Sequence, residues 1–164
     1  MSASVTVEAL TPDSADLLTV AAWLNAEWGR ELGYTLDETI AWCRDVANSS
    51  VEDLLVARQQ DICVGSAMLL KDDLYRGDEL SPWLSSLYVR PENRGKDVGA
   101  ALASAAIECA TRHGIDIVYL YAEKGKLIDY YRRLGWFPYA MFERDDKTFI
   151  IMRTRLPAGV MPMS

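Results

Sequence analysis

The chain has 164 residues, 50% of them apolar and 25% charged, with a formal net charge of −7. That length and mixture fit one globular domain with a proper core. The acidity argues against nucleic acid as a partner, because phosphate backbones need a basic face. It suits a cationic or amine-bearing substrate, but acidity more often serves plain solubility. Cys43, Cys63 and Cys109 are widely spaced, there is no Cys-x-x-Cys, and His113 is the one histidine. That pattern speaks against a metal site such as zinc, and for reduced thiols in a cytoplasmic setting. The N-terminus lacks a basic-then-apolar signal segment and no apolar run reaches bilayer length, so no membrane is expected.

Residues 5–10 alternate as a first strand. Thr11-Pro12 reads as a helix start, with Thr11 as cap and Pro12 at the first helical position. Leu17, Ala21, Leu24 and Trp28 mark one face of that helix, and the stretch from Gly29 to Gly33 breaks it. Thr35-x-x-Glu38 is a capping box opening a second helix carried by Leu36, Ile40, Cys43 and Ala47. After a polar break, 54–58 is a strand, Gln59-Gln60-Asp61 a hairpin turn, and 62–70 the returning strand. Gly65 is the expected bulge there. Residues 71–82 form a charged loop with little periodicity.

Residues 83–113 organise the rest. Aromatic and β-branched residues fill 83–89, and Pro91 ends that strand. From Val98 the period changes: Val98, Ala101, Leu102, Ala105 and Cys109 recur at helical spacing, opposite Ser104, Glu108, Thr111 and Arg112. Gly114 closes the helix as a left-handed cap. A β-branched strand follows at 115–121, parallel to 83–89 because a crossover helix joins them. A short helix at 124–134 stops at Gly135, and 137–143 and 148–155 form a final hairpin. Residues 157–164 read as a loose tail on a single domain, 1–164, with its core at 5–156.

The junction Arg94-Gly95-Lys96-Asp97-Val98-Gly99-Ala100 carries the chemistry. A loop entering a helix presents unpaired N–H groups and the positive end of the helix dipole, which together receive an anion. Gly95 and Gly99 permit close approach, and Arg94 and Lys96 add positive charge. A phosphate or pyrophosphate is the natural guest. The P-loop reading fails for want of Gly-Lys-Ser/Thr. The Rossmann reading fails because a polar loop, 90–95, separates strand from glycines. Many glycine-bearing strand–helix loops bind nothing, so the flanking residues decide.

Those flanks, Leu87-Tyr88-Val89-Arg90-Pro91 and then Arg94, Val98, Gly99 and Leu102 in register, resemble the GNAT superfamily of acyl-CoA-dependent N-acetyltransferases. Asp97 departs from the pattern, standing where the first motif glycine usually is. Tyr131-Arg132-Arg133-Leu134-Gly135-Trp136 resembles the superfamily's second motif, in the right order along the chain. The resemblance covers about residues 5–156. It implies an α/β (α+β) fold: one domain with a mixed, mostly antiparallel twisted sheet of about seven strands, a central parallel pair and about four helices.

It further implies acetyl-CoA as cosubstrate, with cofactor contacts at Leu87, Tyr88, Val89, Arg94, Gly95, Lys96, Asp97, Val98, Gly99, Ala100 and Lys124. The backbone near Leu87 to Val89 would hold the developing oxyanion, and Tyr131 would protonate the leaving thiolate. Lys124 occupies a position where the family often has an asparagine touching the cofactor arm. Adjacent Tyr130 points about 100° away from Tyr131 on a helix, and register with Leu-Gly-Trp selects Tyr131. Asp97 is a good N-cap type that tolerates left-handed backbone, so it is expected to cap the helix and to weaken cofactor binding.

By the same resemblance the acceptor is a small amine, with Trp28, Tyr34, Trp83 and Phe142 as walls and Glu27, Glu31 and Glu38 to attract a cation. Asp78, Glu79 and Glu123 lie near cleft edges, but none is assigned as base. A homodimer is compatible with the superfamily. The competing reading is a non-catalytic CoA-binding or interaction domain on the same fold, prompted by Asp97 and Lys124.

Overall fold

The computed structural model describes residues 4–72 and 80–154. Seven strands form one sheet: β1 (Thr6–Ala9), β2 (Asp53–Gln59), β3 (Ile62–Leu70), β4 (Trp83–Val89), β5 (Tyr119–Glu123), β6 (Trp136–Arg144) and β7 (Lys147–Thr154). Their spatial order is β1-β2-β3-β4-β5-β7-β6. Only the central β4–β5 pair is parallel, as its crossover helix requires. Four α-helices flank the sheet: α1 (Asp16–Leu24), α2 (Leu36–Ala47), α3 (Val98–Arg112) and α4 (Lys126–Arg133). This is the mixed-sheet architecture expected from the sequence.

The two faces are covered by different helices. On one face α3 and α4 bury Val98, Leu102, Ala106, Ile128 and Tyr131 against Leu55, Leu69, Leu84, Leu120 and Met152. On the other, α1 and α2 bury Leu17, Val20, Leu24, Cys43 and Val46 against Leu54, Val56, Met68 and Leu70. A third cluster, Trp83 with Tyr119 and Ile151, lies beside the parallel pair. The seam of α3 is rotated slightly from the expected one: Ala103, Ala106 and Ala110 are buried, whereas Ala101 and Ala105 are half-buried.

Local chemistry explains the boundaries. The Thr35 capping box forms as read, with the Glu38 amide donating to Thr35 Oγ1 and the Thr35 amide to Glu38 Oε1. Both tight hairpins place their two central residues left-handed, Gln60 and Asp61 at φ 51° and 64°, Asp145 and Asp146 at 53° and 63°. The start at Thr11-Pro12 is a correction. The Leu10 amide still bonds the Leu54 carbonyl, the chain then turns from Ser14 N–H to Thr11 C=O, and α1 begins only at Asp16. Strand β5 also starts later than expected, at Tyr119, because Ile115 is used in closing α3: its amide donates to Ala110 C=O beside left-handed Gly114. Helix α4 starts at Lys126 because the Lys124 amide is bonded to Thr148 C=O and Gly125 adopts φ 150°.

Two bulges prepare the site. Arg58 opposes Cys63 while Ala57 opposes Gly65, so Val64 is the extra residue next to the expected glycine. A β-carbon on Gly65 would stand 2.8 Å from Tyr88 C=O and 3.2 Å from Val98 and Leu102, so this glycine lets α3 lie close on the sheet. In β4, Ser66 opposes Tyr88 and Met68 opposes Ser85, and Ser86 absorbs the extra residue at φ 54°. Leu84 and Leu87 therefore both face α3, while Trp83 and Tyr88 both face away from it. Strands β4 and β5 share one ladder pair, Trp83 opposite Tyr119, and the Tyr119 amide bonds Pro82 C=O. Beyond that pair, towards their C-terminal ends, no further ladder pair joins them among the described residues.

Candidate active site

The gap between β4 and β5 opens toward the N-terminus of α3. The first α-helical bond there runs from the Ala101 amide to Asp97 C=O, at 3.0 Å. Among the described residues the amides of Val98, Gly99 and Ala100 have no acceptor. Three unpaired donors at the positive end of a 15-residue helix form a concentrated anion site. Asp97 takes the left-handed conformation, φ 66° and ψ 13°, as foreseen. Its carboxylate makes no capping bond, which corrects the expectation that it would cap α3. An N-cap side chain folds over the first turn from extended backbone, a geometry the left-handed residue lacks.

The loop before α3 is internally braced. Arg90 Nε donates to Asn93 Oδ1, and buried Asn93 reaches Gln59 Oε1 through Nδ2. Arg94 Nε donates to Val89 C=O at 2.9 Å, and its guanidinium lies 5.7 Å from the Tyr88 ring. Gly95 is left-handed at φ 77°, and Lys96 is exposed. The Leu87 side chain comes within 3.9 Å of where a Gly99 β-carbon would sit. The sequence-read loop residues are thus gathered around one helix end, while Lys124 is exposed at the end of β5.

Tyr130 of α4 reaches the start of α3, and Tyr131 lies beside it. Tyr131 is 8% exposed, packed edge-on against Trp136 at 6.2 Å and Tyr130 at 5.3 Å. Its hydroxyl makes no hydrogen bond among the described residues. Burial pushes its phenol well above the ordinary value, with Tyr130 adding to the rise. Half-buried Tyr130 places its hydroxyl against Gly99, and burial followed by the Asp97 charge raises its pKa as well.

The acceptor-side residues divide. Trp28 is 39% exposed and lies edge-on to Tyr88 at 6.5 Å. Trp23, which sequence reasoning passed over, packs on the same tyrosine at 5.3 Å. Its signal was its place one turn and a half before Trp28 on the same stretch. Trp28 is carried by a π-helical turn, Asn25–Gly29, pinned by Asn25 Nδ2 donating to Tyr34 C=O and Thr39 Oγ1. Tyr34 is 56% exposed. Trp83 is 1% exposed, with its indole N–H bonded to Leu80 C=O, which makes it a packed residue of the third cluster. Phe142 is half-buried and stacked on Phe149 at 5.2 Å. Glu38 is occupied in the capping box, Glu27, Glu31 and Glu123 are exposed, and Asp78 and Glu79 lie outside the described residues.

Cys43, Cys63 and Cys109 are free and buried, and burial pushes the first two thiols up to about 11. Among the described residues no group of three or more His, Cys, Asp or Glu could hold a metal ion, and no helix is long and apolar enough to cross a membrane.

The acetyltransferase (GNAT) family model matches residues 17–136. The chain belongs to the GNAT acetyltransferase family. No curated protein matches it. Solved structures share the fold at low identity. A ribosomal-protein-alanine N-acetyltransferase from Brucella melitensis is 22% identical, covering 92% of this chain and 99% of its own, with a TM-score of 0.74. The yncA protein of Salmonella typhimurium, with its cofactor acetyl-CoA, is 19% identical over 98% of both chains, with a TM-score of 0.72. An aminoglycoside 6'-N-acetyltransferase complexed with coenzyme A is 16% identical, covering 91% of this GNAT chain and 96% of its own, with a TM-score of 0.72.

Proposed function

We propose that this GNAT protein moves the acetyl group of acetyl-CoA to a primary amine of a small substrate, directly, within a ternary complex. The observation that carries the reading is the set of unpaired amides of Val98, Gly99 and Ala100 beside the parted β4 and β5. Donors of that number and direction fit a diphosphate. Arg94, Gly95, Lys96 and Asp97 border the same anion, and Lys124 borders the arm that follows. Leu87, Tyr88 and Val89 lie on the edge of β4 that β5 leaves open, where backbone groups not bonded to β3 or to Arg94 would orient the thioester and its developing oxyanion.

Acetyl-CoA supplies the activated acetyl group. The residues of the chain hold it, exclude water and manage one proton. Tyr131 is the proposed proton donor to the departing sulfur, through Oη. Its raised pKa keeps that proton in place over the working range, which a general acid needs. The ammonium form must lose one proton to solvent before attack. The nitrogen loses a second as the C–S bond breaks, which restores the one given to sulfur, and direct transfer needs no nucleophilic side chain. The buried, elevated thiols agree with that scheme. Relatives with coenzyme A or acetyl-CoA bound, one of them an aminoglycoside N-acetyltransferase, support the cosubstrate and the amine class.

Incubation with acetyl-CoA and a panel of amines, following free thiol, tests the reading. Amine-dependent release supports it. CoA-induced thermal stabilisation without release from any amine would favour the non-catalytic CoA-binding domain that Asp97 first prompted.

A further inference from the structure

On the β4 face turned away from α3, an aromatic path runs from Trp83 to Tyr121 at 6.1 Å, then to Phe142 at 5.7 Å and Phe149 at 6.0 Å. Register fixes where that path ends. Glu123, the last residue of β5, opposes Phe149, and Phe142 opposes Phe149 from β6. The path therefore finishes at the C-terminal end of β5, the end at which β4 and β5 have parted. Over it lies Arg144, its guanidinium carbon 5.0 Å from the Phe149 ring, 5.7 Å from Tyr121 and 5.8 Å from Phe142.

Rings hold a guanidinium by its flat face and satisfy none of its five N–H donors. Among the described residues no carboxylate pairs with Arg144, although Glu143, Asp145 and Asp146 surround it in sequence and the chain carries a net charge of −7. A cation of fixed orientation with a free donor fork presents the partner geometry of a carboxylate. Glu27 and Glu31, the carboxylates expected to draw a cationic substrate, are exposed, and neither forms an ion pair with Arg144.

We infer that the acceptor amine carries a carboxylate, and that Arg144 binds it while the Tyr121–Phe142–Phe149 rings pack the connecting apolar part. The inference rests on the acetyl-transfer reading for the direction of approach: the thioester comes from the α3 side, so the amine arrives from the opposite face, where these residues lie. Arg144 acts as a specificity residue, selecting acid-bearing amines over simple amines and polyamines.

The test uses matched pairs: L-phenylalanine with phenethylamine, 4-aminobutyrate with butylamine, and spermidine as a polycation. In the native protein the acid of at least one pair has a kcat/KM at least about tenfold above its partner amine, the scale of one charge-assisted pair. In Arg144→Gln that ratio falls toward one, through KM rather than kcat, and Arg144→Lys restores part of it. Equal or better use of phenethylamine, butylamine or spermidine, with ratios unmoved by Arg144→Gln, overturns the inference. Equilibrium binding of N-acetyl-L-phenylalanine and of CoA is measured separately in both proteins. Loss of the acetylated acid alone in Arg144→Gln supports the inference even if no amine turns over. Unchanged binding of that acid overturns it. Absence of CoA binding strikes only the acetyl-transfer reading.

Discussion

The hydroxyl of Tyr130 lies 2.7 Å from the point at which a β-carbon on Gly99 would stand. That contact ties α4 to the first turn of α3 and explains why position 99 carries no side chain. In Gly99→Ala either the phenol or the helix start must move, and the free amides move with it. The expected result is a rise of about tenfold in the KM for acetyl-CoA, equivalent to about 1.4 kcal/mol. Adding Tyr130→Phe removes the clashing oxygen and leaves the nearest ring carbon at 3.7 Å, an ordinary contact, so the double variant recovers most of the loss. Steady-state kinetics on the single and double variants check this.

Asp97 pays twice for its position: it is left-handed, and its carboxylate points at no donor while bordering the proposed diphosphate. Glycine adopts that backbone freely. Asp97→Gly is expected to stabilise the fold by about 1 kcal/mol and to tighten acetyl-CoA binding several-fold. Urea denaturation and calorimetric titration measure the two effects. Unchanged or weaker affinity would mean that the carboxylate does not oppose the ligand.

Gly65 makes the opposite prediction. A methyl there meets backbone, Tyr88 C=O at 2.8 Å, and two α3 side chains at 3.2 Å. Gly65→Ala is expected to cost about 1–3 kcal/mol of stability, read as a lower urea midpoint, because α3 must lift from the sheet.

Buried thiols give a pH dependence of known sign. Burial raises Cys43 and Cys63 from 9.0 to about 11, so the folded state holds these protons more tightly than the unfolded chain. Their contribution is complete below pH 9.0 and is lost as pH climbs through about 11. The raised phenol of Tyr131 adds a loss of the same sign above 10.0. The urea midpoint should therefore be flat to about pH 8.5 and fall beyond it, and the native thiols should resist alkylation until the protein unfolds.

Much of this was legible in the residues. Strand β4 runs from Trp83 to Val89 as read, because Pro91 stops it and its side chains favour a buried strand. The capping box at Thr35 and the change of period at Val98 were local signals with local causes. The failures were also local. Thr11-Pro12 looked like a helix start, but a hydrogen bond from Leu10 to the neighbouring strand held the chain extended and delayed α1. Residues 115–118 looked like strand, but Ile115 was needed to close α3.

What the sequence could not show was the assembly of non-local groups. Tyr121, Phe142 and Phe149 come from three strands, and their meeting depends on a register that includes a bulge between Pro138 and Ala140. Trp83 read as a pocket wall because tryptophan serves both packing and binding, and only the fold reveals its burial. The Arg144 stack has no sequence signature at all, since cation and rings are neighbours only in space.

The most direct measurement of the central claim compares amine-dependent thiol release from acetyl-CoA in the native protein and in Tyr131→Phe, with CoA affinity measured alongside. Removal of the proton donor should lower kcat by about 10²-fold while leaving CoA affinity within about twofold. Equal kcat in the two proteins would contradict Tyr131 as the acid. Absence of thiol release with every amine would contradict the transfer reaction itself.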